Sequence, residues 1–446
     1  MTVRVVRAPW VLTGRAPSPA LPRCAGEGEG AAAHLSGGRL AEPPPRSGGE
    51  GGGGAATTPA LIADGAVALD GDLLLAVGPA AEVEARFGPG ERLDAVLLPA
   101  LVNAHTHLEL SHLHGRVPGG DGLPSWIQLL VAARAAEPES DIAVEDGVAA
   151  LTRFGVAAVG DVSNGLGSIP WLSRAGVAGT VYQEVFGFTG PRIERALAQA
   201  RLLAERAPPL GPGLRRVLTP HAVYSTHLPR LVELLAAGPA SLHLAEDPAE
   251  RRFCSEATGP FAGLHRSLGV TDLPRLGRSP VEVVARHLRP GTLVVHVVDL
   301  DDEDRALLAR SGATAVLCPR SNLHIGGRLA DLPKLLEAGV PLAVGTDSLA
   351  SAPSLSPLAE LATLSRAWPE VSPLALLQLA WNGAAVGAPA VGRLEPGRAP
   401  GVLAAPIERE ELGDAPFDPC RWLLDVFGRE ELPFTWLARH RPEPSA

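Results

Sequence analysis

The residues best placed to do chemistry begin with His105-Thr106-His107. In an extended segment, residues i and i+2 face the same side, so both imidazoles can reach one ion. Alone, such a pair is as much at home between two hydrogen-bonded histidines as on a metal. It gains weight from His243, His296 and Asp347, which also fall at the ends of short apolar runs. A set of imidazoles with one carboxylate suits a borderline ion such as zinc, with Zn–N distances of about 2.0–2.1 Å. Asp347 closes the apolar run PLAVGTDS at 341–348. A buried carboxylate is costly unless paired, and a cation beneath it removes that cost. Glu246 follows His243 by three positions; it reads either as a helix-capping acid or as a proton carrier facing a reacting group. Zinc-type ions lower the pKa of water from about 15.7 to around 7. A carboxylate beside such water can pass its proton to a ring nitrogen or a leaving amine, which is the chemistry of metal-assisted hydrolysis.

These residues can cooperate only if a scaffold gathers them. From about residue 96, short buried runs alternate with helical stretches. The runs are AVLLPALVNAHTH, GVAAVGDVS, GVAGTVYQEV, RRVLTPHAVYS, ASLHLAE, GTLVVHVV, ATAVLCPRSN and PLAVGTDS. Helical patterns lie between them, at 141–155, 191–207 and 301–312 among others; the last two open with Pro or Asp, as helix starts prefer. Such βα repeats predict a (β/α)8 barrel of the TIM type over 96–387, with its active site at the C-terminal ends of the strands. The polar residues fall there: His105 and His107, Asp161, Glu184, His221, His243 with Glu246, His296, Asn322, and Asp347. Residues 1–95 and 388–446 are expected to meet in a small β-sandwich domain, since alternating segments with Asp-Gly turn signals flank the barrel. The Gly-, Pro- and Ala-rich stretch 23–58 cannot bury enough apolar surface to order itself and reads as a disordered insertion.

Bulk composition narrows the function classes. The chain has 446 residues and a net charge of −10, which disfavours nucleic acid or an anionic membrane as partner and leaves a small-molecule substrate. Its four cysteines, Cys24, Cys254, Cys318 and Cys420, form no CxxC pair, so neither a zinc ribbon nor a disulfide framework is indicated. The N-terminal segment lacks the apolar core of a signal peptide and no run of 18 apolar residues occurs, so the cytoplasm is the expected compartment.

Taken together, NAHTHLELS, LHLAE, the strand-end His296, CPRSNLHIGG and GTDSLAS resemble the amidohydrolase superfamily, and within it the nucleobase and nucleoside deaminase branch. YQEVFGF and HLAEDPAERRF narrow the likeness to aminodeoxyfutalosine deaminases. The resemblance implies one divalent ion, zinc or alternatively iron, on His105, His107, His243 and Asp347. It implies that Glu246 protonates the ring nitrogen beside the attacked carbon, that Asp347 accepts a proton from the attacking water, and that His296 orients that water. His221 would contact the substrate, with Glu109 and Glu184 as further candidate contacts. The two-metal branch uses a carboxylated lysine on the fourth strand; here the only lysine is Lys334, between the seventh and eighth runs, which argues for a single metal. The implied substrate is 6-amino-6-deoxyfutalosine, a nucleoside on the futalosine route to menaquinone. It carries a benzoate, so an arginine is expected at the mouth, with Arg116, Arg320 and Arg328 as candidates by position. The resemblance also implies a homodimer. Two alternatives stay open: an amidohydrolase acting on a guanine, pterin or triazine ring, as deaminase or chlorohydrolase, and a non-catalytic metal-binding barrel. The chain departs from the family in GRAPGVLAA at 397–405, where an acid is missing.

Overall fold

A computed structural model describes residues 3–14, 60–408, 416–430 and 432–442. The Gly- and Pro-rich stretch expected at 23–58 lies outside the described residues.

Eight parallel strands form the catalytic body, in two sheets of four. The first holds β6 (Leu101–Thr106), β7 (Val156–Ser163), β8 (Ala178–Val185) and β9 (Leu214–Pro220), numbered after five earlier strands given below. The second holds β10 (Ala240–Leu244), β11 (Thr292–His296), β12 (Thr314–Leu317) and β13 (Leu342–Val344). Parallel bridges join the sheets at both seams, Ala222 to His243 and Thr106 to Asp347. The strand order is therefore cyclic, the arrangement of a (β/α)8 barrel. Every residue of β6, β7, β8, β10, β11 and β12 is buried, as expected of a parallel sheet covered by helices.

The helices start and stop where local chemistry dictates. Helix Asp302–Ser311 opens on a capping box of Asp301 and Asp304 and ends at Gly312, whose φ is +68°. Helix Asp141–Arg153 falls within the expected helical stretch, and helix Gly190–Arg206 matches its own to one residue at each end. Lys334 sits in helix Leu332–Glu337, between β12 and β13.

The terminal segments meet in one seven-stranded sheet. It contains β1 (Arg4–Leu12), β2 (Leu61–Asp70), β3 (Leu73–Pro79), β4 (Glu91–Arg92), β5 (Ala95–Pro99), β14 (Pro400–Pro406) and β15 (Thr435–His440). The run 95–107, expected as one strand, is two: Ala95–Pro99 pairs with β1 and β14, and the barrel strand starts at Leu101. The break falls at Pro99-Ala100, because proline cannot donate to a ladder. The departing segment GRAPGVLAA still supplies a fully paired strand, since β14 bonds to β5 on one edge and to β15 on the other. Among the described residues, no helix is long and apolar enough to cross a membrane.

Candidate active site

His105 and His107 lie at the end of β6, and the chain segment after β13 packs directly against them. Thr346 and Asp347 both donate backbone N–H groups to the His105 carbonyl at 3.0 Å. Gly345 makes that approach possible: a Cβ there would stand 2.7 Å from His105 Cβ and 2.8 Å from its backbone N and O. Three strand-end residues adopt left-handed backbone, Ala245 (φ 53°), His296 (φ 77°) and Asp347 (φ 57°). Such conformations cost about 1–3 kcal/mol each outside glycine and tend to gather at functional sites.

The side chains of these strand ends converge. His105 Nε2 is 3.7 Å and His107 Nε2 3.5 Å from Asp347 Oδ1. Asp347 Oδ2 accepts from the hydroxyls of Ser321 (2.6 Å) and Ser351 (3.1 Å), so the carboxylate is turned with Oδ1 toward the histidines. His243 Nδ1 is 3.1 Å from His296 Nε2. Donor atoms of His105, His107 and Asp347 lie within 4.8 Å of one another, as do those of His105, His243 and His296. Both ring nitrogens of His105, and Nε2 of His243, are buried without a hydrogen-bond partner. Buried imidazole nitrogens are rarely left so, and a cation among them would satisfy the lone pairs. The donor set fits a metal.

Charge states agree with that fit. Burial lowers the pKa of His105 and His296, and burial with the neighbouring His105 takes His107 to about 3. These rings are neutral and free to ligate. Burial alone would raise Asp347, but the His105 ring, with Nε2 3.7 Å away, and the surrounding imidazoles hold it well below the usual carboxylate range. His243 differs: burial would lower it, yet the facing Glu184 carboxylate raises it.

Glu246 and His296 face one another, with Oε2 and Nε2 3.5 Å apart. Burial, then the charge on Asp347, push the Glu246 carboxyl well above its ordinary value. Asn322 Nδ2 lies 3.0 Å from His296 Nδ1 and fixes the ring from behind. His221 lies beside His243, ring centroids 4.8 Å apart, with Nδ1 on Ser225 Oγ at 2.6 Å. Glu184 Oε1 is 3.6 Å from His243 Nε2. Burial would raise Glu184, but facing His221 and His243 it is held below the usual range.

One expected contact is engaged elsewhere. Both Glu109 oxygens are taken by the loop after β7: they accept from Ser163 Oγ and from the backbone N–H groups of Asn164, Gly165 and Gly167. Glu109 lines the cavity, but its carboxylate anchors that loop rather than reaching for a ligand.

A cavity of about 710 Å³ opens above these groups, within the roughly 300–1,000 Å³ of small-molecule sites. Its floor includes His107, His221, His243, Glu246, His296 and Asp347, and its outer walls are apolar, with Trp126, Ile127, Phe186, Phe188 and Leu268. The three arginines expected at the mouth are not among its lining residues. Arg116 pairs with Glu137, Arg320 with Glu360 and Glu430, and Arg328 lies 3.9 Å from Asp299. Arg134 and Arg192 line the cavity instead. Arg134 is paired with Glu139 at 2.9 Å. Arg192 donates to the Leu268 carbonyl at 2.9 Å, and no acidic partner is found for it among the described residues. No short motif marks Arg192 or Trp126; both come from helices whose packing alone brings them over the mouth.

Residues 96–403 match the model of the Amidohydrolase family. The aminodeoxyfutalosine deaminase of Deinococcus radiodurans is 32% identical over 354 residues, covering 72% of this chain and 80% of the relative. A 5-methylthioadenosine/S-adenosylhomocysteine deaminase of Nitratidesulfovibrio vulgaris is 30% identical over 368 residues, covering 76% and 78%. The crystal structure of Helicobacter pylori aminofutalosine deaminase in complex with methylthio-coformycin superposes with a TM-score of 0.74 at 19% identity, over 97% of each chain.

Proposed function

With the chain belonging to the amidohydrolase family, we propose that it is a metal-dependent hydrolytic deaminase that releases ammonia from an aminated purine nucleoside, with 6-amino-6-deoxyfutalosine as the candidate substrate. The observation that carries this reading is the convergence of His105, His107, His243 and Asp347 at the floor of one cavity with the buried Glu246 carboxyl beside them.

His105, His107, His243 and Asp347 would hold one divalent ion, zinc by donor chemistry and iron as the alternative. When bound, that ion supplies Lewis-acid activation of water at neutral pH. The remaining work falls to side chains. Asp347, oriented by Ser321 and Ser351, takes the proton of the attacking water and hands it to the amino group, which leaves as ammonia when the C–N bond breaks. Glu246 donates its proton to the ring nitrogen beside the carbon under attack. His296, held by Asn322, directs the water and stabilises the developing oxyanion. His221 and Glu184, beside His243 in the same cavity, would contact the nucleoside. The apolar outer walls would exclude water from the substituent beyond the ribose, and Arg192, which lines the same cavity, would pair with a carboxylate on it. Menaquinone biosynthesis in the cytoplasm is the setting that goes with this substrate.

A panel of adenosine, 5′-methylthioadenosine, 6-amino-6-deoxyfutalosine and guanine, assayed for ammonia with zinc-loaded protein, tests the reading. The carboxylate-bearing nucleoside should give the highest kcat/KM. A preference for methylthioadenosine would keep the deaminase and reject the substrate; ammonia from guanine alone would move the protein to the nucleobase side of the family.

A further inference from the structure

The turn that carries Glu246 leaves β10 with two backbone N–H groups directed inward. Ala245 N–H donates to Glu250 Oε2 at 2.9 Å and Glu246 N–H to Glu250 Oε1 at 3.1 Å. Glu250 is wholly buried, in the first turn of helix Pro248–Glu256, and it does not line the cavity. Ala245 is one of the left-handed residues, so the turn is held in a conformation its own side chain does not favour. The Ala245 carbonyl in turn accepts from the N–H groups of Val298 and Asp299, both at 2.8 Å. Arg251, next on the same helix, grips Asp299 through its carboxylate (2.9 Å) and its carbonyl (3.0 Å). One short helix thereby ties the loop that carries Glu246 to the loop that follows His296.

We propose that Glu250 is a positioning residue: its carboxylate fixes the Ala245–Glu246 turn, which sets the direction of the Glu246 carboxyl and its 3.5 Å approach to His296. The role of Glu246 as proton donor is taken from the proposed function, and the assignment of Glu250 rests on that reading. Glu250 touches no reacting atom. It acts through two backbone bonds, and a buried N–H group deprived of its partner gives the turn reason to rearrange.

Two substitutions test this. Glu250→Gln keeps the volume but sets an amide NH2 against one of the two N–H groups. Glu250→Asp keeps both acceptor oxygens but withdraws them by one methylene. In each, zinc content and KM should stay near wild type while kcat falls on the order of 10- to 100-fold, the scale expected for displacement of a reacting group by about 1 Å. Hydrogen exchange should quicken in the peptide covering residues 244–247 and not in the one covering 101–106. Wild-type kcat, or unchanged exchange at 244–247, overturns the proposal. So does loss of zinc in step with kcat, and so does failure of both variants to fold, which would make Glu250 a folding requirement. If the wild-type protein itself releases no ammonia from the nucleoside panel, the functional reading has failed; exchange at 244–247 then decides the positioning claim by itself.

Discussion

Glu246 and Asp347 are both buried carboxyls, yet their surroundings drive them to opposite states. Asp347 has imidazoles and two hydroxyls around it and is held low, whereas burial and the charge on Asp347 push Glu246 high. Acid and base roles are thereby separated within one pocket. Glu246→Gln should lower kcat by about 10²- to 10⁴-fold, the usual worth of a general acid, with metal content by elemental analysis unchanged. Loss of metal instead would assign Glu246 to the ion. Arg192→Ala should raise KM for the carboxylate-bearing nucleoside on the order of 10- to 100-fold, as loss of a charged hydrogen bond does, and leave KM for methylthioadenosine alone. Equal effects on both would remove Arg192 from substrate recognition. The ionisable strand-end groups were legible in the sequence because apolar runs ended in them. Ser351 and Arg192 were not, since nothing local distinguishes a serine that turns a carboxylate, or an arginine brought over the mouth by packing. Glu109, a candidate contact by its place two residues after His107, lines the cavity, but that its oxygens accept from the backbone of the loop after β7 could not be read locally.

At the scale of elements, the site depends on how closely the end of β6 and the segment after β13 approach. Gly345→Ala would press a methyl group into the His105 backbone. We expect a destabilisation of about 1–3 kcal/mol by urea unfolding, the usual cost of overpacking, together with weaker zinc binding, because His105 and Asp347 move with that contact. A folded variant with wild-type zinc affinity would show the approach to be incidental. Strand positions were readable from buried runs, and helix limits from capping residues such as Asp301 and Gly312. The division of residues 95–107 between two sheets was not. Both halves are buried and apolar, and only pairing partners distant in the chain decide which sheet each half joins.

On the scale of the whole molecule, the proposed ligands from β6, β10 and the segment after β13 must meet, so folding and metal binding would be linked. Zinc should raise the thermal midpoint, by the equivalent of about 2.7 kcal/mol when free zinc exceeds its dissociation constant a hundredfold. His105→Ala should erase most of that increment, and an undiminished increment would place the ion elsewhere. The cyclic order of eight strands was foreseeable from their count, and so was the return of the C-terminal segment to the small β domain, whereas the pairing of residues 400–406 with β5 depends on contacts some 300 residues apart. The account's central claim is metal-dependent hydrolytic deamination, and turnover of the aminated nucleosides in ¹⁸O-labelled water tests it most directly. Zinc-loaded protein should release one ammonia per product and place one solvent oxygen where the amino group stood, with both signals lost after chelation and restored by zinc. Release of no ammonia from any aminated ring, or release that persists in metal-free protein, would contradict it.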